Sequence, residues 1–204
     1  YDKVITKNLS INLSKDSIEL INANYKEAVS ISVDFLDKEI NSKIKSRLSG
    51  KKDIFGKLFP IKNSTLLDCT AGYGRDSYVL RSMGFNVTMI ENSPVMSLLL
   101  NDALKKLKLS NFNMYHGNSY DYLNHSEKYY DYIYIDFMFN KLKKNSLSSK
   151  NNETLKLISF QENDKNNLIR LAIKKSNHRV VVKEPKNSLS NILKPEYTIK
   201  TKLL

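Results

Sequence analysis

Three acids in this sequence close apolar, strand-like stretches, and a pair of glycines follows the first of them. Asp68, Glu91 and Asp136 are the acids, and Gly72, Gly74, Arg75 and Asp76 come directly after Asp68. Glycines so placed permit a tight turn that brings backbone close to a ligand. An acid ending the next strand is positioned to accept hydrogen bonds from a ribose. The ligand is not a dinucleotide on this pattern. Position 77, where a third glycine would complete the dinucleotide fingerprint, is Ser. A pyrophosphate seeks a glycine-lined helix N-terminus, and Asp68 before the turn with Asp76 inside the helix would repel it. The same acids suit a ligand without phosphates and with a cationic centre, such as S-adenosylmethionine. The competing interpretation is a βα turn of some other α/β protein, in which Asp76 merely favours the helix dipole.

These residues need a scaffold, and the hydrophobic pattern supplies one. Thr65 to Cys69 reads as a strand, Arg75 to Met83 as a helix with Val79, Leu80 and Met83 inward, and Gly84 sits at the C-cap position. Asn86 to Ile90 is the second strand. Ser93-Pro94 then starts a helix whose apolar stripe is Met96, Leu99, Leu100, Ala103, Leu104 and Leu107. Phe112 to Tyr115 is a third strand, followed by His116-Gly117-Asn118-Ser119. Tyr130 to Asp136 is a near-continuous apolar run, as in a strand buried on both faces. Residues 141–152 read as a loop, 163–175 as a helix, 179–183 as a fifth strand and 196–204 as a sixth.

Upstream, residues 3–21 hold short strand-like pieces including Ser17 to Ile21, and Val29 to Phe35 alternates strictly. Residues 53–59 form a short helix stopped by Pro60. Alternating strands and helices with polar groups at strand ends predict an α/β fold: a doubly wound, mostly parallel sheet with helices on both faces. A small N-terminal β appendage with a basic segment (residues 1–52) precedes the main domain (residues 53–204).

Composition bounds the rest. The 204 residues carry a formal charge of +12, which invites a nucleic-acid partner. Abundant Lys, Asn, Ile and Ser with scarce Ala, Gly and Arg is also what an A- and T-rich genome imposes on any protein. Within the excess, Lys38, Lys43, Lys45, Arg47, Lys51 and Lys52 face only Glu39 across residues 38–52. With Leu36, Ile40, Ile44 and Leu48 at spacing four, this segment is either the solvated face of a helix or a phosphate-contacting arm. The single Cys69 argues for a reducing compartment, and three scattered histidines make a metal site unexpected. No apolar run is long enough to span a membrane and no signal peptide opens the chain. A chain that begins with Tyr is expected to start inside a longer product.

The ordered set of motifs resembles the bacterial 16S ribosomal RNA (guanine-N2)-methyltransferases of the RsmJ type, over roughly residues 17–202. The matching segments are Asp68-x-Thr-Ala-Gly72-x-Gly74-Arg75-Asp76, Val33-Asp34-Phe35, Asp136-Phe137-Met138-Phe139 and Arg179-Val-Val-Val-Lys183-Glu-Pro185. The resemblance implies a Rossmann-like methyltransferase fold and S-adenosylmethionine as cofactor. It implies 16S ribosomal RNA or the small-subunit particle as partner, in the cytoplasm. Arg75 and Asp76 would hold the methionine end of the cofactor, Glu91 the ribose, Asn92 the adenine edge, and Asn118 and Ser119 the adenine pocket. From the residues alone, a plain loop role for Asn118 and Ser119 is equally open. Asp136 would stand at the methyl-transfer point and Phe139 would stack on the target base. Lys183 faces RNA phosphate or simply ends a strand.

This sequence departs from the family's Asp-Pro-Met-Phe-Pro motif, reading Asp136-Phe-Met-Phe-Asn140. Loss of two prolines that pre-set the backbone leads to an expectation of slow transfer. The family's glycine-rich basic segment is replaced by residues 36–52, and a closing strand is expected beyond residue 202. Two other classes of function stay open: a methyltransferase acting on protein or a small molecule, and a catalytically degenerate RNA-binding relic.

Overall fold

A five-stranded, all-parallel sheet carries the fold, its strands lying side by side in the order 112–116, 86–91, 65–68, 130–136 and 176–183. The computed structural model describes residues 8–38, 41–42, 44, 54–107, 109–137, 150–158, 164–184 and 194–199. The main-sheet strands are β4 (Thr65–Asp68), β5 (Asn86–Glu91), β6 (Phe112–His116), β7 (Tyr130–Asp136) and β8 (Ser176–Lys183). The helices are α1 (Ile54–Leu58), α2 (Arg75–Ser82), α3 (Pro94–Leu107), α4 (Ser119–His125), α5 (Lys150–Ile158) and α6 (Lys165–Lys175). The chain enters at β4, steps outward to β5 and β6, then crosses back to β7 and β8. Ligand crevices form at such a reversal, beside the carboxyl ends of the first and fourth strands.

Period-two alternation sorts the strand residues onto two cores. Leu66, Val87, Met89, Tyr132 and Tyr134 point into one, with Tyr78, Val79 and Leu80 of α2 and Leu99 and Leu100 of α3. Leu67, Ile90, Ile133 and Ile135 point into the other, with Leu123 of α4 and Leu168, Ile169 and Ala172 of α6. Tyr130 shares the parity of Tyr132 yet lies in the second core. A register shift between Tyr130 and Tyr132, where β7 meets β8, accounts for it.

The N-terminal segment is an antiparallel three-stranded sheet of β1 (Leu9–Leu13), β2 (Ile18–Asn22) and β3 (Val29–Ile31). β3 is shorter than the predicted run to Phe35, yet the inward alternation continues: Ile31, Val33 and Phe35 are 2%, 5% and 1% exposed. Phe35 packs its ring against Tyr78 and Phe112, with centroids 4.8 and 5.7 Å away. The appendage therefore shares the first core with the main sheet. A polar clasp adds to this. Asn22, fully buried, donates to the Thr154 hydroxyl on α5 at 2.7 Å and accepts from the backbone and side chain of Asn24.

Two expectations need correcting. Residues 150–152 open α5 and are not loop, because Thr154 and Ile158 bury one face of that short, polar helix. Residues 196–199 lie in no strand. The rest of the expected sixth strand lies outside the described residues, as do Lys43, Lys45, Arg47, Lys51 and Lys52, the 141–149 loop and Pro185.

Removal of the Phe35 ring should destabilise the protein by about 3–5 kcal/mol, the usual cost of emptying a buried aromatic site. Urea unfolding of Phe35→Ala followed by tyrosine fluorescence and far-UV dichroism should shift one shared transition. Two separate transitions would show that the N-terminal sheet folds apart from the main one.

Candidate functional site

At the carboxyl edge, β4 ends on Asp68, β5 on Glu91 and β7 on Asp136. Asp68 is 2% exposed and its carboxylate is engaged within the chain. The Thr70 N–H donates to it at 2.9 Å and the Ser77 hydroxyl at 2.6 Å. The Thr70 hydroxyl in turn accepts the Asp136 N–H at 2.7 Å. One short chain of hydrogen bonds thus ties the end of β7, the glycine turn and the first turn of α2 to the end of β4. Burial, against the lowering effect of those donors, pushes the Asp68 carboxyl up to about 7; the nearby Asp76 and Asp136 push the same way.

The glycine turn has left-handed backbone at both glycines, Gly72 at φ 51° and Gly74 at φ 67°. For Gly74 the demand is internal. A Cβ there would stand 2.9 Å from both Leu100 Cδ2 and Phe35 Cζ, so this glycine lets α2 start directly over the core. Gly72 instead donates its N–H to Glu91 Oε2 at 2.8 Å. The other Glu91 oxygen takes the Ser93 N–H at 2.7 Å. Burial raises the Glu91 carboxyl, while the Ser93 and Gly72 donors and His116 oppose the rise. A carboxylate offers about four lone-pair sites, so capacity is left for hydroxyl donors. Asn92 is half-buried beside it.

Asp76 opens α2, where its charge favours the helix dipole. It accepts from the buried Tyr134 hydroxyl at 2.9 Å and from Lys183 Nζ at 3.4 Å. Lys183 Nζ also donates to Asp136 Oδ2 at 2.6 Å. Arg75, exposed, lays its guanidinium over the Tyr73 ring, 5.1 Å from the centroid. Asn118 caps α4 by accepting the Asp121 N–H at 3.1 Å, and the Ser119 hydroxyl donates to the Cys69 carbonyl, binding α4 to the end of β4. Both residues flank the crevice, with these local duties. Phe137 follows β7 with its ring buried at 3% exposure beneath the Lys165 ammonium and its N–H tied to the Lys183 carbonyl at 2.9 Å. Phe139 and Asn140 lie outside the described residues.

The structure therefore brings Gly72, Glu91, Asn92, Asn118, Ser119, Asp76 and Asp136 to one edge and sends Asp68 beneath it. Thr70 and Tyr134 complete the constellation without having been singled out from the sequence, and Lys183, expected to face RNA phosphate or simply to end a strand, contacts Asp76 and Asp136. The signal for that contact is strand pairing: Asp136 registers opposite Lys183 across β7 and β8. Among the described residues no cluster of three or more His, Cys, Asp or Glu could hold a metal ion, and no helix is long and apolar enough to cross a membrane. A set of carboxylates, hydroxyls and turn amides, in which the Arg75 guanidinium at the turn lies over Tyr73, fits a nucleoside with a cationic, phosphate-free extension.

Comparison with known proteins agrees. A family model described as "Putative SAM-dependent methyltransferase" matches residues 3–203. Ribosomal RNA small subunit methyltransferase J of Alteromonas mediterranea is 32% identical over 179 residues, which cover 83% of this chain and 69% of that protein. The protein of the same name from Coxiella burnetii is 39% identical over 135 residues, 63% of this chain and 52% of that protein. The chain thus spans about half the length of several curated relatives it matches. The SAM-dependent methyltransferase NGO1261 of Neisseria gonorrhoeae superposes with a TM-score of 0.61 at 22% identity, over 86% of this chain and 71% of that one.

The raised Asp68 carboxyl has a consequence for stability. Its folded value of about 7 exceeds the ordinary 3.8, so between those values the native state holds a proton that the unfolded chain has released. Stability must then fall as pH rises from about 4 to about 7 through this group, and level off above. Asp68→Asn, which stays neutral while keeping an acceptor for Ser77, should flatten that slope in melting temperature against pH. A slope unchanged by the substitution would show that Asp68 is ionised throughout.

Proposed function

This chain belongs to the SAM-dependent methyltransferases, among the relatives of ribosomal RNA small subunit methyltransferase J, and from that premise we propose that it methylates the exocyclic N2 of a guanosine in 16S ribosomal RNA. The observation that carries the proposal is the convergence of Glu91, Asp76 and Asp136 on one carboxyl edge beside a left-handed glycine turn. The cofactor site follows the donors: Glu91 for the ribose hydroxyls, Asn92, Asn118 and Ser119 around the adenine, Gly72, Arg75 and Asp76 for the methionine end. Asp68 acts beneath them as a positioning residue. Bound there, S-adenosylmethionine supplies a methyl group already activated by its sulfonium.

What this chain's residues must contribute is geometry. A guanine N2 amine is a weak nucleophile, because its lone pair is delocalised into the ring. Asp136 and the Phe137 carbonyl are acceptors for the amine hydrogens, and taking them up turns the lone pair toward the methyl group. Phe139 stacks on the extruded base, as aromatic rings do with unpaired RNA bases. No nucleophilic cysteine or basic histidine is required. The ribosomal substrate is supported by the relatives' name and by the net charge of +12. On this reading the protein works in the cytoplasm, with the small-subunit RNA or particle as partner.

The family's prolines at 137 and 140 would pre-set the backbone that presents these acceptors. Here Phe137 itself is anchored at the end of β7 by a buried ring and a backbone hydrogen bond. Restoring proline at 137 removes both that N–H and the ring, so Phe137→Pro should cost about 3 kcal/mol or more in denaturant unfolding without accelerating single-turnover transfer. A faster, equally stable variant would show that the segment is loose.

Transfer itself is tested with methyl-labelled cofactor and small-subunit ribosomal RNA. Asp136→Ala should abolish labelling while the folded protein still binds cofactor, because Glu91 and Asp76 remain. Glu91→Ala should weaken cofactor binding in calorimetry by about 1.5–3 kcal/mol, since ribose hydroxyls lose a charged acceptor. Label entering protein or a small molecule in place of RNA would reject the RNA assignment. A folded Glu91→Ala variant with unchanged affinity would remove Glu91 from the site.

A further inference from the structure

Two carboxylates at the proposed site share one cation, and that cation belongs to the protein. Lys183 Nζ lies 2.6 Å from Asp136 Oδ2 and 3.4 Å from Asp76 Oδ2. The contact is built into the sheet: Lys183 and Asp136 are register partners at the ends of the parallel strands β8 and β7. The Lys183 carbonyl also accepts the Phe137 N–H, so the lysine backbone cannot drift from β7. The lysine side chain is 46% exposed, the carboxylates only 12% (Asp136) and 27% (Asp76). The ammonium therefore sits over the acids on their solvent side. Burial by itself would lower its affinity for a proton, and Asp76 and Asp136 outweigh that and raise it, so it is charged at neutral pH. Beneath lies Asp68, a third acid in the same field.

We propose that Lys183 is an internal counter-cation that sets the preference of this site between S-adenosylmethionine and its demethylated product, S-adenosylhomocysteine. The inference rests on the cofactor assignment and not on the RNA acceptor. The two ligands differ by one methyl group and one positive charge. A site whose carboxylates are already neutralised by its own ammonium gives a sulfonium less than the acids alone would, and penalises the neutral thioether no more. Lys183 thereby holds down the affinity for the cationic ligand relative to the product. Lys165 and Arg75 are cations of the same neighbourhood, but Lys165 lies over Phe137 and Arg75 over Tyr73, whereas Lys183 contacts both acids directly.

The test is calorimetric titration of the full chain, without RNA, using each of the two ligands. Lys183→Met should shift the ratio of affinities toward S-adenosylmethionine by about three- to tenfold, the size expected for removing one partly exposed like charge. Affinity for S-adenosylhomocysteine should change little, the shift should shrink at high salt, and Lys183→Arg should retain the wild-type ratio. Equal loss of both ligands would overturn the proposal, because the lysine would then grip a group common to the two. No change in either would overturn it as well, leaving Lys183 a bystander on the strand end. Should Lys183→Met unfold, Lys183→Gln tests the same ratio. Wild-type protein that binds both ligands but labels no RNA would reject the substrate and leave this inference standing. Failure to bind either would reject the cofactor and the inference together.

Discussion

The buried carboxylate of Asp68 is the constraint on which the rest depends. An acid with 2% exposure is stable only if hydrogen-bond donors surround it. The Ser77 hydroxyl and the Thr70 N–H do so, and the Thr70 hydroxyl passes the connection on to the Asp136 N–H. Because these groups belong to the turn, to α2 and to β7, satisfying one buried carboxyl fixes three elements relative to β4. The glycine turn is therefore clamped from below, and its upper side is left to Glu91, which is held in the same fashion by the Gly72 and Ser93 amides. Both acids spend part of their hydrogen-bonding capacity on shaping the crevice they border.

Charge is distributed unevenly about this clamp. The chain as a whole is strongly basic, yet its crevice is lined by Asp76, Glu91 and Asp136 over Asp68. Three acids outnumber the Lys183 ammonium that two of them share, so the site favours a cation, while a net charge of +12 favours a polyanionic partner for the chain. A methyltransferase acting on RNA needs this separation, since the donor is cationic and the acceptor carries the phosphates.

Much of this was legible in the sequence where local rules decide. The run Tyr130 to Asp136 became β7 with the predicted bounds, because a strand buried on both faces shows an unbroken apolar signature. Gly84, at φ 100°, follows α2 where a C-cap glycine was expected. The alternation of residues 29–35 correctly announced inward side chains even past the end of β3. Pairing was not legible. That Lys183 stands beside Asp136 depends on β8 lying next to β7, and that Asn22 meets Thr154 depends on a contact across 132 positions. Helix α5 escaped because Lys150 to Glu153 is wholly polar and Leu155, Leu157 and Ile158 are too few to show a period. β8 begins earlier than Arg179 because α6 runs straight into it at Ser176, and Ser176-Asn177, which read as a turn, open the strand. Asp68 was read as a ligand contact from its place at a strand end, while the hydroxyls that internalise it come from positions 70 and 77, whose roles only the folded turn reveals.

The central claim is that this crevice places a methyl group on guanosine N2 in small-subunit ribosomal RNA. The most direct measurement is mass mapping of that RNA from cells lacking the protein, beside cells in which it is restored. The account predicts one guanosine-containing fragment lighter by a single methyl group, with the modification located on N2 and returned by wild-type protein but not by Asp136→Ala. Small-subunit RNA with an unchanged set of fragment masses would contradict it.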